Sequence, residues 1–85
     1  MKSENDLVIT GTVVTDVQLN PGQTITRFRL VHNFGGGRKP LFLDCVLIHW
    51  SGLPVPRKGD RILTHAYLRM RAGRIEAVVK TLLIE

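Results

Sequence analysis

Five stretches rich in Val, Ile, Thr, Leu and aromatic residues fill nearly all of this chain, separated by glycine and proline. None carries a helical apolar stripe between capping residues, so each reads as a strand. The punctuation is the strongest constraint on the fold. Asn20-Pro21-Gly22 marks a turn, Gly35-Gly36-Gly37-Arg38-Lys39-Pro40 a flexible loop, and Arg71-Ala72-Gly73-Arg74 a tight hairpin. Residues 51–60 hold two prolines and two glycines, too broken for more than a turn. The predicted strands cover residues 7–19, 24–33, 41–50, 61–71 and 74–84. Five strands in hairpin order within 85 residues point to an all-β fold, a five-stranded antiparallel barrel, because closure leaves no exposed edge. One domain is expected over residues 1–85, with a polar, disordered start over residues 1–5.

Strand alternation assigns the faces. Phe28 and Leu30, then Leu43, Cys45 and Leu47, then Ile62, Thr64, Ala66, Leu68 and Met70 are expected inside. The outer set then collects Arg27, Arg29, Phe42, His65, Tyr67, Arg69 and Arg71, a basic face with aromatic residues set into it. Alternation fails in the last strand, where Val78, Val79, Leu82, Leu83 and Ile84 make both faces apolar. The second face is expected to meet another subunit, or a loop that covers it.

The charge is concentrated in the middle of the chain. The formal total is +5, yet residues 21–74 hold ten basic side chains against Asp44 and Asp60, and both flanks are net acidic. Eight of the 12 basic residues are Arg, which forks onto phosphate and stacks on bases better than Lys. A polyanion is the natural partner. Arg beside outward aromatics suits a single strand, with Arg for phosphates and rings for bases. Duplex reading is not expected, because no recognition helix is available for a major groove.

Other chemistries fare poorly. No apolar run approaches the roughly 18 residues that span a bilayer, and the polar N-terminus does not read as a secretory signal. The lone Cys45 cannot form an internal disulfide, which favours a reducing, cytoplasmic setting. The glycine loop lacks the Gly-Lys-Ser/Thr ending that cradles nucleotide phosphates, so nucleotide hydrolysis is not expected. It reads as a mobile basic tip that wraps a strand through Arg38 and Lys39, or as a plain flexible hairpin loop. His32, His49 and His65 are scattered, and Cys45 and His49 stand about 13 Å apart at strand rise, too far for one tetrahedral ion. No catalytic residue, metal site or cofactor is expected. Phe42 and Tyr67 read as base-stacking rings, with packing against a loop or a neighbouring subunit as the alternative for Phe42. Trp50 reads as a packing or interface residue and Phe34 as a loop anchor.

The order Leu7-Val8-Ile9-Thr10-Gly11-Thr12-Val13-Val14, Thr26-Arg27-Phe28-Arg29-Leu30, Phe42-Leu43-Asp44-Cys45-Val46-Leu47-Ile48, Lys58-Gly59-Asp60-Arg61-Ile62 and Leu82-Leu83-Ile84 resembles the bacterial single-stranded-DNA-binding proteins, with the smaller primosomal member PriB. The resemblance covers residues 6–84, and its most specific part is Lys-Gly-x-x-Ile at residues 58–62. It implies an OB-fold barrel, and it sets Phe42 where the family has a stacking Trp. The usual helix between the third and fourth strands is not expected here, nor is the family's long acidic-tipped tail. Both departures favour the primosomal member, or a phage or plasmid homologue. The expected function is non-catalytic binding of single-stranded DNA in replication, restart or recombination. Arg27, Arg29, Arg69 and Arg71 would contact phosphates, Phe42 and Tyr67 would stack, and Arg38 and Lys39 would close over the strand. A homo-oligomer, most simply a dimer, is expected, and replication or restart proteins are further partners the resemblance implies. The alternatives are an OB-fold adaptor for protein assembly and an RNA-binding OB domain.

Overall fold

In the computed structural model, which describes residues 5–22, 24–48 and 52–85, the chain is built from strands and turns, with no helix among the described residues. The strands are β1 (Leu7–Val13), β2 (Gln18–Leu19), β3 (Ile25–His32), β4 (Leu41–Ile48), β5 (Arg61–Arg71) and β6 (Arg74–Ile84). They pair in the order β1–β5–β6–β4–β3–β2, and a further β1–β3 pairing closes five of them into a barrel, with β2 appended to β3. The expected all-β, five-stranded barrel is what forms. One pairing is not antiparallel: β4 and β6 run parallel at Cys45–Ala77 and Val46–Val78. β5 lies between them in sequence, so two reversals bring β6 back in the direction of β4. The expected disorder over the first residues falls largely outside the described residues, and the readings for His49 and Trp50 do so entirely.

The first predicted strand is two strands. At its middle the Thr15 hydroxyl accepts the backbone N–H of Arg29 at 2.8 Å, and Val14 donates its N–H to the Arg29 carbonyl at 2.9 Å. A side chain that takes a ladder bond bends the chain, and β2 resumes against the start of β3. Gly11 permits the crossing of β1 from β5 to β3, since a Cβ there would stand 2.4 Å from the Val31 carbonyl oxygen. Asn20 closes the β2–β3 turn by accepting from the N–H groups of Thr24 and Ile25 at 2.8 and 3.0 Å. The Arg57–Asp60 turn docks on the end of β1, where Gly59 donates to the Val13 carbonyl and Val13 to that of Asp60.

Alternation places the core as expected over most of the barrel. Phe28, Leu30, Leu43, Cys45, Leu47, Ile62 and Ala66 are buried inside, and a fully covered Leu or Ile contributes about 2 kcal/mol. Met70 is a correction: it shares the inward parity, yet it is 65% exposed, as is its cross-strand partner Ile75 at 57%. The β5–β6 hairpin projects past the barrel end, so its inward face there has nothing to cover it. The broken alternation of β6 has a local cause. His65 pairs with Thr81 and Ala66 with Val79, leaving Lys80 as the extra residue of a β-bulge. The parity reverses at that point, so Val79 and Leu82 both enter the core while Leu83 is 61% exposed. Val79 and Leu82 are therefore not part of a second apolar face. The buried Thr64 hydroxyl donates to the Thr81 carbonyl beside the bulge at 2.9 Å.

Candidate nucleic-acid interface

The strand registers align the outward side chains in rows across β3, β4, β6 and β5. One row is Arg27, Val46, Val78 and Tyr67. Both valines are buried although they face outward, so they form an apolar floor between Arg27 and Tyr67. The next row is Arg29 and Asp44, then Glu76 and Arg69. The third is Val31 and Phe42, then Arg74 and Arg71. β4 and β6 part before the second row, and a cleft of about 580 Å³ opens between β3–β4 and the projecting hairpin. Thr15, Asp16 and Gln18 line it too, with Ala72 and three residues of inward parity, Phe28, Cys45 and Ile75, so the cleft reaches from the outward rows to the open end of the core.

Carboxylates occupy much of the positive charge on this face. Glu76 is 7% exposed; its Oε1 accepts from Arg69 Nε at 2.8 Å, and its Oε2 stands 3.9 Å from Arg27 Nε. Arg29 Nε donates to Asp44 Oδ1 at 3.0 Å. Among the described residues no carboxylate pairs with Arg71 or Arg74, which line the same cleft, or with Arg38 and Lys39 in the β3–β4 loop. That loop holds Gly35, Gly36 and Gly37, all at positive φ, a run that other residues would strain to follow. Phe42 presents its ring at 57% exposure, whereas Tyr67 is half-buried with Lys80 Nζ 5.8 Å from its ring centroid. Lys80 and His65 converge on Asp6, at 2.7 and 2.9 Å from its Oδ1. The Lys80 bond above all, with that of His65, holds the Asp6 carboxyl below its ordinary range. Burial, with a smaller effect from Asp44, pushes the Cys45 thiol up to about 12.

No protein-family model matches the sequence, and no curated protein matches it. Solved structures do. The mitochondrial single-stranded DNA binding protein of S. cerevisiae superposes with a TM-score of 0.79 at 10% identity, over 98% of this chain and 95% of that one. The N-terminal domain of PriB from Thermoanaerobacter tencongensis, described as dimeric, gives 0.75 at 14% identity, over 95% and 96%. The Plasmodium falciparum SSB, solved in complex with ssDNA, gives 0.70 at 17% identity, over 100% and 97%. The chain has the OB fold.

On this OB barrel, six of the residues singled out in the sequence lie on the outward face, continuous across the Arg27–Val46–Val78–Tyr67 row and beyond it split by the cleft into Arg29 and Phe42 on one side and Arg69 and Arg71 on the other. Arg38 and Lys39 sit in the exposed loop next to the Phe42 end of that face. Phe34 meets His32 edge-on with centroids 4.8 Å apart, in keeping with a loop anchor. His65 faces outward but is held by Asp6. Sequence reasoning missed Arg74, although a two-residue turn sets it directly opposite Arg71. It also missed Asp44 and Glu76 as the arginines' partners. Their outward parity was readable, but the β4–β6 pairing that brings Glu76 between Arg27 and Arg69 was not.

Proposed function

We propose that this OB barrel binds single-stranded DNA, without catalysis, across the outer face of β3, β4, β6 and β5. The observation that carries this reading is the cleft beside the Val46–Val78 floor, bordered by Arg71 and Arg74, which no carboxylate pairs among the described residues, with Phe42 exposed on the outward side of β4. Arg71, Arg74, Arg38 and Lys39 take phosphates directly. Phe42 and Tyr67 offer rings to bases, which every base can use. Arg27, Arg29 and Arg69 reach phosphate by exchanging a carboxylate for it. Two of the structural neighbours support the reading: the S. cerevisiae protein's name states single-stranded DNA binding, and the Plasmodium falciparum SSB was solved with ssDNA. A role in replication, restart or recombination, in a reducing cytoplasmic compartment, accords with it. Fluorescence polarisation with labelled oligonucleotides tests it. Single-stranded DNA should bind more tightly than duplex or RNA of equal length, and silence towards every oligonucleotide would overturn it.

The reading includes a homodimer. Val8 and Leu83 are 67% and 61% exposed on the outer side of β1 and β6; Leu83 stands opposite Leu63 of β5, and Val8 opposite His65, two residues further along β5. The PriB neighbour is described as dimeric. Light scattering at micromolar concentration should return twice the chain mass, and a monomer throughout would remove this part.

A further inference from the structure

The cleft carries more than phosphate chemistry. A volume of about 580 Å³ falls within the range of small-ligand sites, and it takes one nucleotide, base included. Its lining is of mixed charge: Arg71 and Arg74 have no carboxylate partner among the described residues, while Asp16, Asp44 and Glu76 bring carboxylates into the same space. Glu76 is nearly buried and spent on Arg69 and Arg27. Asp44 is different. Its side chain is 40% exposed, its Oδ1 accepts from Arg29, and its Oδ2 has no partner among the described residues. The pair thus offers an open acceptor beside a guanidinium that still has donors to give.

That juxtaposition selects among bases. Cytosine and adenine present an amino donor next to a ring-nitrogen acceptor, which matches a carboxylate beside an arginine. Guanine presents two N–H donors to the carboxylate and a carbonyl to the arginine. Thymine and uracil present one N–H between two carbonyl oxygens, and an open carboxylate repels one of those oxygens. We propose that the cleft between β3–β4 and the β5–β6 hairpin is a base-selecting pocket, in which Asp44 favours a nucleotide with an amino-bearing base over thymine or uracil. This rests on the single-strand reading above and adds a specificity that stacking alone does not supply.

The test compares cytosine with thymine, rings of one size, in homopolymers of equal length. The measurement is the ratio of Kd values for oligo-dT and oligo-dC, for the unaltered protein and for Asp44→Asn. Asparagine keeps the shape and replaces one acceptor by a donor. The unaltered protein should favour oligo-dC by about fivefold or more, the lower end for one good base contact. Asp44→Asn should bring the ratio to one or reverse it. Asp44→Asn also frees Arg29, which finds an acceptor on either base, so the ratio is read together with a titration that leaves both side chains unaltered. A parallel titration with oligomers of N4,N4-dimethylcytosine, which has no amino hydrogen, needs no variant and should lose the preference. Equal binding of oligo-dC and oligo-dT by the unaltered protein, or a preference that survives both Asp44→Asn and methylation, overturns the pocket. Silence of the unaltered protein towards every oligomer overturns instead the reading on which it rests.

Discussion

Replacing Glu76 with Gln should weaken the fold and strengthen binding at once. Glu76 is 7% exposed, bonded to Arg69 at 2.8 Å and 3.9 Å from Arg27. Breaking a fully buried ion pair costs about 3–5 kcal/mol. Here both arginine side chains are about one-third exposed, at 36% and 34%, and water takes up part of the loss. The expected cost is about 1–2 kcal/mol, or a fall in Tm of about 5–15 °C for a domain of this size. Two guanidinium groups are then free for phosphate. Each new contact on a single strand adds about −0.7 to the logarithmic salt slope, so two add about −1.4. Extrapolated from equal affinity near 1 M salt, that is a gain of about twenty-fivefold at 0.1 M. Thermal melts followed by circular dichroism and polarisation titrations over a salt series read both quantities. If Glu76→Gln melts lower but binds with an unchanged slope, the carboxylate does not compete with phosphate, and Arg27 and Arg69 leave the interface.

Other perturbations separate the remaining roles. Phe42→Ala should weaken binding by about 1–3 kcal/mol with no change in salt slope or Tm, because an exposed ring displaces no counterions, whereas Leu43→Ala, one residue along and inside, should cost about 2–5 kcal/mol of stability in urea melts. Arg71→Ala with Arg74→Ala should flatten the slope by about 0.7 per lost contact and leave Tm unchanged, which polarisation over a salt series checks. Ala72 holds φ 50 before Gly73 at φ 77, a turn that favours Asn-Gly, so Ala72→Asn should raise stability by about 0.5–1 kcal/mol in urea melts. Asp6 has a lowered carboxyl pKa in the folded chain, so its contribution is present above the ordinary carboxylate range and lost as pH falls through the folded pKa; Asp6→Asn should flatten the acid limb of a pH series of melts.

The sequence made some of this structure legible and hid the rest, for physical reasons. β5 and β6 were readable to the residue because the turn at Ala72–Gly73 pins their register. The faces of β3 and β4 were readable because Phe28, Leu30, Leu43, Cys45 and Leu47 keep strict alternation. The bulge at Lys80 was visible only as a broken pattern, since an extra residue and a second apolar face leave the same trace in one strand. Met70 was misplaced because parity gives a direction and not a depth, and the hairpin outruns the core. For the candidate site, the outward set was legible, but its state of charge was not. Asp44 meets Arg29 within one hairpin, while Glu76 meets Arg27 across strands distant in sequence.

The short β4–β6 pairing has a mechanical consequence. The barrel consists of two stiff ribbons, β1–β5–β6 and β2–β3–β4, each knit by long antiparallel ladders. Among the described residues the ribbons are stitched along two brief seams, Thr12–Val31 with Val13–Leu30 on one side and Cys45–Ala77 with Val46–Val78 on the other. The softest deformation of such a body is a clamshell motion about those seams. The Arg27–Glu76 ion pair spans the second seam, and so does any strand laid across the cleft. On the proposed reading a bound strand would act as a suture, and the barrel would be stiffer loaded than empty.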